Sequence, residues 1–400
     1  MNWLKIKILS GYILASVLFS CAPKINSDYL KNLTAKNNIP AQVLSNYYKK
    51  ALVYQGNDTR IARVMKKAQQ GDSVVIGVIG GSITAGANAT EAQYRWANIV
   101  TDWWKTNFPK AKVKLVNAGI GATTSLYGVH RAERDLLKYD PDFVIVEFCV
   151  NDNSNEYAAE SYEGLVRKIL KSKNNPGIIA LSMLTADGLN AQEKHLPVLK
   201  NYGITMISQR DALKDAIYLK QGPASTWNKY STDDVHPNNW GHAVAASVLI
   251  NHLQKIYRGI GHHKQPATIP ARPLTANSYE RSAILTNKDL APVQLGMWRV
   301  AYDGWNTQGE RSILKFNIEA GGIIVNYKKT NKPNGGRCIV RLNGAVIDTL
   351  SADFTGGWGE YIKDATILKS SQKQNNAVEF EFIPDAGKEF YIENIMISGY

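Results

Sequence analysis

Three residues of this chain have the types and the spacing that nucleophilic catalysis needs. Ser82 directly follows a short apolar run and two glycines, and Asp233 stands three positions before His236. A serine hydroxyl becomes an effective nucleophile when an imidazole accepts its proton and a carboxylate fixes the tautomer of that imidazole. In a turn, the Asp233–His236 spacing can direct the carboxylate to one ring nitrogen while the other nitrogen faces Ser82. The pattern predicts acyl transfer through a serine.

Acyl transfer also needs hydrogen-bond donors for the oxyanion that develops on the attacked carbonyl. Asn151 follows the apolar run 143–148, and the glycine-containing segment 117–123 (NAGIGAT) follows the run 113–116. Backbone N–H groups and an asparagine amide are suitable donors when they are held in place before reaction. These two segments are therefore the candidates for an oxyanion hole.

The elements that must position these residues alternate between strands and helices. Apolar runs predict strands at 74–79, 113–116, 143–148, 177–183 and 204–208, with amphipathic helices between them and a final helix at 240–257. This alternation implies βαβ units with right-handed crossovers, and chemistry at the carboxyl ends of the strands. We expect a flavodoxin-like three-layer α/β/α domain with a five-stranded parallel sheet over residues 55–257.

The composition changes after residue 257. Residues 258–280 contain three prolines without periodicity and read as a linker, whereas 281–400 contain short alternating runs separated by turn signals. This second part predicts a smaller all-β sandwich domain, a candidate for carbohydrate binding. Its tryptophans Trp298, Trp305 and Trp358 could stack on sugar rings, although a tryptophan in a sandwich is more often a core residue.

The amino-terminal residues predict export. Residues 1–20 carry two lysines followed by an apolar segment, as an export signal does, and Cys21 stands where a bacterial lipoprotein is lipidated. Residues 21–54 are expected to be a polar tether and lead-in. The sequence thus predicts an exported bacterial lipoprotein in the periplasm or at the outer membrane or cell surface, which contacts the membrane only through the lipid on Cys21.

Composition narrows the set of partners. The 400 residues carry a formal net charge of +13, but the lysines and arginines are spread along the chain, so we do not expect nucleic-acid binding. No dinucleotide-binding glycine motif is present, and the histidines outside the candidate site lack the neighbouring carboxylates or cysteines of a metal site. We therefore expect neither a cofactor nor a metal.

Four separated blocks together resemble the SGNH (GDSL-type) hydrolases. They are Gly80–Thr84 in a GGSIT variant, Asn117–Thr123, Val150–Asp152 and Asp233–Pro237. The resemblance covers roughly residues 55–257. It implies that Ser82 is the nucleophile, His236 the base and Asp233 its orienting partner, and that the oxyanion hole combines the Ser82 N–H, a backbone N–H of the second block and the Asn151 side chain.

One departure from the family pattern concerns the oxyanion hole. The glycine that donates its backbone N–H in the family corresponds here to Ala122. An alanine supplies the same donor if its φ is negative. We therefore assign Ala122 to the oxyanion hole and keep Gly121 as the alternative.

The resemblance favours a serine esterase that removes O-acetyl groups from polysaccharides or oligosaccharides through an acyl-enzyme. A chain in which a GGSIT block is joined to a β-sandwich resembles carbohydrate esterases that remove acetyl groups from polysaccharides. Two alternatives remain open: a lipase, lysophospholipase-like or cell-wall O-acetyl esterase with the same chemistry, and a non-catalytic glycan-binding lipoprotein.

Overall fold

The structure is a computed structural model that describes residues 26, 28–220, 222, 225–262, 265–356 and 359–399. The predicted export signal 1–20, the lipidation site Cys21 and the candidate sugar-binding Trp358 lie outside the described residues.

The described chain folds into an α/β unit followed by an all-β unit. The α-helices are α1 Asp28–Lys36, α2 Ala41–Ala51, α3 Thr59–Gln69, α4 Ser82–Ala85, α5 Trp96–Asn107, α6 Ser125–Asp135, α7 Ala158–Leu170, α8 Gln192–Tyr202, α9 Gln209–Leu213 and α10 Asn239–Arg258. The strands of the first unit are β1 Leu52–Tyr54, β2 Val74–Gly80, β3 Val113–Gly119, β4 Phe143–Glu147, β5 Gly177–Ser182 and β6 Thr205–Ser208. The strands of the second unit are β7 Ser282–Leu285, β8 Arg299–Ala301, β9 Gly304–Gly309, β10 Ser312–Thr330, β11 Arg337–Leu342, β12 Ala345–Ser351, β13 Glu360–Phe382 and β14 Asp385–Ser398.

The first sheet has the order β1-β6-β5-β4-β2-β3. Strands β2 to β6 are parallel and keep the flavodoxin-like order, which confirms the predicted fold class. The strand count was too low by one, because β1 adds an antiparallel sixth strand at the edge beside β6. Three residues are too short to produce a readable alternation. The sheet brings the carboxyl ends of β2, β3 and β4 side by side, where the candidate residues follow.

Helices cover both faces of this sheet and enclose two apolar cores. One core lies between the sheet and the layer containing α3, α5 and α10, and the other lies against α6, α7 and α8. Within the segment 21–54, expected to be a tether and lead-in, α1 and α2 pack against the α/β unit and bury Leu30, Tyr47 and Ala51. Among the described helices, none has the length and apolar character needed to cross a bilayer.

The second unit is an eight-stranded antiparallel sheet that bends around its own core, as the sandwich prediction requires. The long strand β10 pairs with β13 along its length and also with β14, and its register shifts between Ala320 and Gly322. The runs 313–318 and 322–327, which predicted two strands, are the two halves of β10. The shift explains why the alternation is interrupted there.

Polar contacts hold the two units together. Lys168 of α7 donates to the backbone oxygen of Ser282 at 2.7 Å, and Arg167 forms an ion pair with Glu280 at 2.6 Å. The segment predicted to be a linker lies against α7 in space. There Glu163 accepts the Thr275 N–H at 2.7 Å, and Arg167 donates to the Pro270 oxygen at 2.9 Å. The β unit is therefore anchored to the helical face beside α7.

Candidate active site

The end of strand β2 positions Ser82. The chain leaves β2 at Gly80, passes Gly81 at φ −86° and ψ −152°, and begins α4 at Ser82. A Cβ on Gly80 would lie 2.2 Å from Thr84 Oγ1 and 2.3 Å from the backbone oxygen of Glu147, so close approach of the chain requires a glycine there. The tight turn places the Ser82 hydroxyl at the carboxyl edge of the sheet.

The structure brings Ser82, His236 and Asp233 together. Ser82 Oγ lies 2.8 Å from Nε2 of His236, and Nδ1 of the same ring lies 2.9 Å from Oδ2 of Asp233. With the proton on Nδ1 donated to the carboxylate, Nε2 is free to accept the serine proton. The arrangement can therefore generate a serine nucleophile and hold the resulting imidazolium against a carboxylate.

Backbone hydrogen bonds fix Asp233 itself. Its Oδ1 atom accepts the N–H groups of Val235 at 2.7 Å and of His236 at 2.6 Å. Burial raises the pKa of Asp233, but these N–H groups and the His236 ring outweigh it and hold the pKa below its usual value. The carboxylate therefore stays ionised beside the imidazole at neutral pH.

Two further side chains brace this loop, and the sequence analysis did not identify them. Asn88 Nδ2 donates to the backbone oxygen of His236 at 2.9 Å, and Trp227 Nε1 donates to the backbone oxygen of Asp233. The Asn88 contact joins the loop to a distant part of the chain, whereas Trp227 lies six residues before Asp233, and both contacts are made to carbonyl groups. No residue pattern in the sequence signals contacts of this kind.

Asn151 lies beside the Ser82 turn. A Cβ on Gly81 would lie 2.3 Å from Asn151 Oδ1 and 3.5 Å from its Nδ2, so the amide rests on the backbone immediately before Ser82. The Ser82 N–H is the first of helix α4, and the first N–H groups of a helix have no partner within it. Two of the predicted oxyanion donors thus lie next to each other.

The Ala122 assignment does not meet the condition stated for it. We expected a negative φ, but Ala122 has φ +57°, in the left-handed region that favours glycine. The alternative donor Gly121 lies close by, since a Cβ there would be 3.7 Å from Ser82 Cβ. The second-block loop therefore reaches Ser82, with an alanine in a strained backbone conformation.

A second, fully buried histidine–aspartate pair lies behind Asn151. His195 Nε2 is 2.8 Å from Asp152 Oδ2, and Asp152 Oδ1 accepts the Ser125 N–H at 2.8 Å. The His195 ring stacks on Tyr162 with centroids 3.7 Å apart, and its Nδ1 lies 3.4 Å from Cys149 Sγ. Both partners have no exposed surface, so this pair orders the loop of Asn151 and does not meet substrate.

The tryptophans assigned to sugar binding are not on the surface. Trp298 is 2% exposed and Trp305 is 0% exposed, and both pack in the core of the β unit, where Trp305 contacts Phe316 edge to face. The assignment of these two residues to substrate binding is wrong. Residue type alone does not reveal whether a tryptophan of an all-β unit faces the core or the surface.

A groove of about 510 Å³ adjoins the loops that carry Asn151 and His236. Its apolar lining includes Val150 and Val235, the residues just before those two, together with Leu189, which is exposed. Its lining also includes Lys220 and Asp234, which form an ion pair at 2.7 Å. Space for a bound molecule thus exists beside the histidine.

Comparison with known proteins gives concordant results. The chain matches the GDSL-like Lipase/Acylhydrolase family over residues 78–244. It is similar to a two-domain esterase (CEX) active on acetylated mannans, at 31% identity over 88% of this chain and 98% of that one. The TM-score is 0.82 for one structure of that esterase and 0.81 for another, co-crystallized with mannopentaose.

A curated relative matches the α/β unit. The chain is 25% identical over 198 residues to the thioesterase 1/protease 1/lysophospholipase L1 of Escherichia coli (strain K12). The match covers 48% of this chain and 87% of that protein. Together these similarities identify a carboxylic ester hydrolase.

Proposed function

Because this chain belongs to the GDSL-like Lipase/Acylhydrolase family, we propose that Ser82, His236 and Asp233 form its catalytic triad and that its substrate is an O-acetylated glycan. The observation that carries the proposal is the 2.8 Å contact between Ser82 Oγ and His236 Nε2, with Asp233 on the opposite ring nitrogen. This is the geometry that proton transfer from a serine requires.

The first half of the reaction forms the acyl-enzyme. His236 Nε2 accepts the hydroxyl proton as Ser82 Oγ attacks the ester carbonyl, and the carbonyl electron pair moves onto its oxygen. The Ser82 N–H and the Asn151 amide, with Ala122 or Gly121 as a further donor, stabilise that oxyanion. When it collapses, the bond to the alcohol breaks and His236 gives its proton to the departing oxygen.

The second half uses water. His236 removes a proton from a water molecule, the resulting hydroxide attacks the acyl carbon, and the second oxyanion collapses with release of the carboxylic acid. Ser82 Oγ recovers its proton from His236. Asp233 remains ionised throughout and stabilises the imidazolium, as its lowered pKa favours.

Proton transfer from His236 restricts how the substrate can bind, because the leaving oxygen must lie close to His236 Nε2. The alcohol must lie on the side of the imidazole, and the groove lined by Val150 and Val235, which directly precede Asn151 and His236 in the chain, is the place that we assign to it. A groove of this size has room for a substrate whose alcohol part is large, such as a sugar chain. The similarity over both domains to an esterase active on acetylated mannans supports the same class of substrate.

Acetate release tests the proposal. The wild-type chain and Ser82→Ala are incubated with acetylated mannan, acetylated xylan and a small aryl acetate, and free acetate is measured. We expect Ser82→Ala to lose at least about a thousand-fold in kcat on every substrate. Equal turnover by the variant would reject the triad, and wild-type inactivity with retained glycan binding would favour a non-catalytic glycan-binding protein.

A second candidate function is hydrolysis of longer acyl esters, including lipid esters. The similarity of the α/β unit to the Escherichia coli thioesterase 1/protease 1/lysophospholipase L1 favours it. A series of aryl esters from acetyl to decanoyl separates the two functions. A deacetylase prefers the acetyl ester, whereas a rising kcat/KM with chain length would favour the lipid ester.

We also propose that the protein is exported and that Cys21 carries a lipid. The support is the sequence of residues 1–21 alone. Labelling of the full chain with a radioactive fatty acid in a bacterial host should be lost in Cys21→Ser. Labelling that persists in the variant would exclude Cys21 as the anchor.

A further inference from the structure

A buried carboxyl group lies directly beneath the turn that carries Ser82. Glu147 is the last residue of β4, pairs with Gly80 across the sheet, and has no exposed surface. Its Oε2 atom accepts a hydrogen bond from Thr84 Oγ1 at 2.9 Å, and the Gly81 N–H also stabilises the carboxyl group. Glu147 thus contacts the chain on both sides of Ser82.

The surroundings of this carboxyl group do not compensate a negative charge. Its Oε1 atom is buried and accepts no hydrogen bond from the part of the chain that the structure describes. Within the same described residues, the groups that shift its pKa include no lysine or arginine. A buried carboxylate without a cation or a full set of donors is expensive, and the usual outcome is protonation.

The titratable neighbours point the same way. Asp152, in the loop after β4, is a second acid that disfavours ionisation of Glu147. Cys149 on the same loop, Tyr162 of α7 and Tyr230 beside the Asp233 loop also face the carboxyl group, and none of them is cationic. Burial is the largest cause and, with Asp152, raises the pKa of Glu147 to about 7, against the opposing effects of Thr84 and Gly81.

We propose that Glu147 is a positioning residue that acts in its uncharged form and ties the Ser82 turn to the end of strand β4. The role in catalysis rests on the proposed function of Ser82. When the carboxyl group loses its proton, a negative charge appears beneath the nucleophile and the oxyanion donors. That charge disfavours the oxyanion, and the site loses activity as the pH rises.

The sign of the effect on stability follows from the same ionisation. An ordinary glutamate in the unfolded chain has a pKa near 4.3, below that of the buried group. The uncharged form therefore contributes stability that is complete below the unfolded pKa and is lost as the pH rises through the folded pKa of about 7. Glu147→Gln, which is uncharged at every pH, has no such loss.

The test compares wild type, Glu147→Gln and a matched control, Glu133→Gln, whose carboxyl group is exposed on α6. Apparent Tm is measured from pH 5 to pH 8, and kcat/KM for an aryl acetate from pH 6 to pH 9. We expect the Tm of Glu147→Gln to rise relative to wild type by about 3 °C or more across this range. We also expect kcat/KM within about threefold of wild type at pH 6, and an alkaline decline in wild type that the variant lacks.

Several results would overturn the proposal. Parallel Tm curves for wild type and Glu147→Gln would mean that Glu147 is ionised across this range in the folded protein, as it is in the unfolded chain. A loss of more than about tenfold in kcat/KM for Glu147→Gln at pH 6, with unchanged Tm, would mean that the charged form is required. Wild-type inactivity on every ester would reject the proposed function, and the Tm comparison alone would then decide whether Glu147 is uncharged.

Discussion

One carboxylate, that of Asp233, holds both the ring and the backbone of His236. Its Oδ2 atom faces Nδ1 of the imidazole at 2.9 Å, while Oδ1 accepts the backbone N–H of the same residue at 2.6 Å. The hydrogen bond to Oδ1 fixes the carboxylate relative to the His236 backbone. The ring therefore cannot rotate without losing its hydrogen bond to Oδ2. This double attachment fixes the imidazole, while Asn88 and Trp227 hold the backbone of the same loop.

The attachment predicts the effect of Asp233→Asn. An amide can still accept the backbone N–H through its oxygen, but its NH₂ group faces Nδ1 and favours the tautomer in which Nε2 carries the proton. We expect kcat to fall by about 10⁴-fold while the fold persists. Steady-state kinetics on an aryl acetate measure this. Loss of less than about tenfold would mean that the carboxylate does not set the tautomer.

The lowered pKa of Asp233 adds a pH dependence to the same variant. A carboxylate whose folded pKa is depressed contributes stability that is present above its unfolded pKa and is lost as the pH falls through the folded pKa. The Tm difference between wild type and Asp233→Asn should therefore shrink below about pH 4. The side chain is 49% exposed, so the difference is small and needs a differential scan at several pH values.

Gly81 and Asn151 should behave as a coupled pair. A methyl group on Gly81 would lie 2.3 Å from Asn151 Oδ1, so Gly81→Ala must displace the amide from its place beside Ser82. We expect Asn151→Ala to lower kcat by about 10²–10³-fold and Gly81→Ala to lower it as well. Gly81→Ala should cost much less in the Asn151→Ala background, because the clash is gone.

Gly261→Ala is the control for this cycle, since a Cβ there meets no atom of the described residues within 4 Å. It should leave kcat unchanged. Additive effects of the Gly81 and Asn151 substitutions would contradict the proposed contact.

The strained backbone of Ala122 predicts a stabilising substitution. A left-handed φ such as that of Ala122 costs a non-glycine residue about 1–2 kcal/mol, which Ala122→Gly would relieve. Glycine, however, loses about 0.5–1 kcal/mol more backbone entropy on folding, which offsets part of that gain. Ala122→Gly should therefore raise the free energy of unfolding by up to about 1 kcal/mol and retain activity. Ala159→Gly, inside helix α7, should lower it by about the same amount. Destabilisation in both variants would mean that Ala122 is not strained.

Strands β2 and β4, which carry part of the candidate site, could be predicted because they lie in the middle of the sheet and are buried on both faces. The run 74–79 became β2 and 143–148 became β4 with ends shifted by one residue, since strands buried on both faces read as continuous apolar runs. Helix α1 was missed because its buried side consists of little more than Leu30 and Thr34. Such a narrow buried face gives no recognisable helical periodicity of apolar residues in a polar segment.

The residues of the site divide in the same way. The proximity of Ser82, Asn151 and His236 could be predicted because their residue types and the elements before them carry the signal. Asn88 and Trp227 act by donating to backbone oxygens of the loop that carries Asp233 and His236, so only the fold reveals them. Trp305 was misassigned because residue type does not reveal whether a side chain on a bent antiparallel strand faces the core.

The buried Asp152–His195 pair predicts a defect that differs from that of the candidate triad. Asp152 accepts hydrogen bonds from Ser125 and Asn155 as well as contacting His195. Asp152→Ala leaves these groups buried without an acceptor and should destabilise the fold by about 3–5 kcal/mol. Because Asn151 precedes it, kcat should fall as well. Asp152→Asn keeps one acceptor oxygen and the side-chain volume, so its loss should be smaller in both measurements. Chemical denaturation and kinetics below the unfolding transition separate the two effects, and an unchanged midpoint for Asp152→Ala would contradict the structural role assigned to the pair.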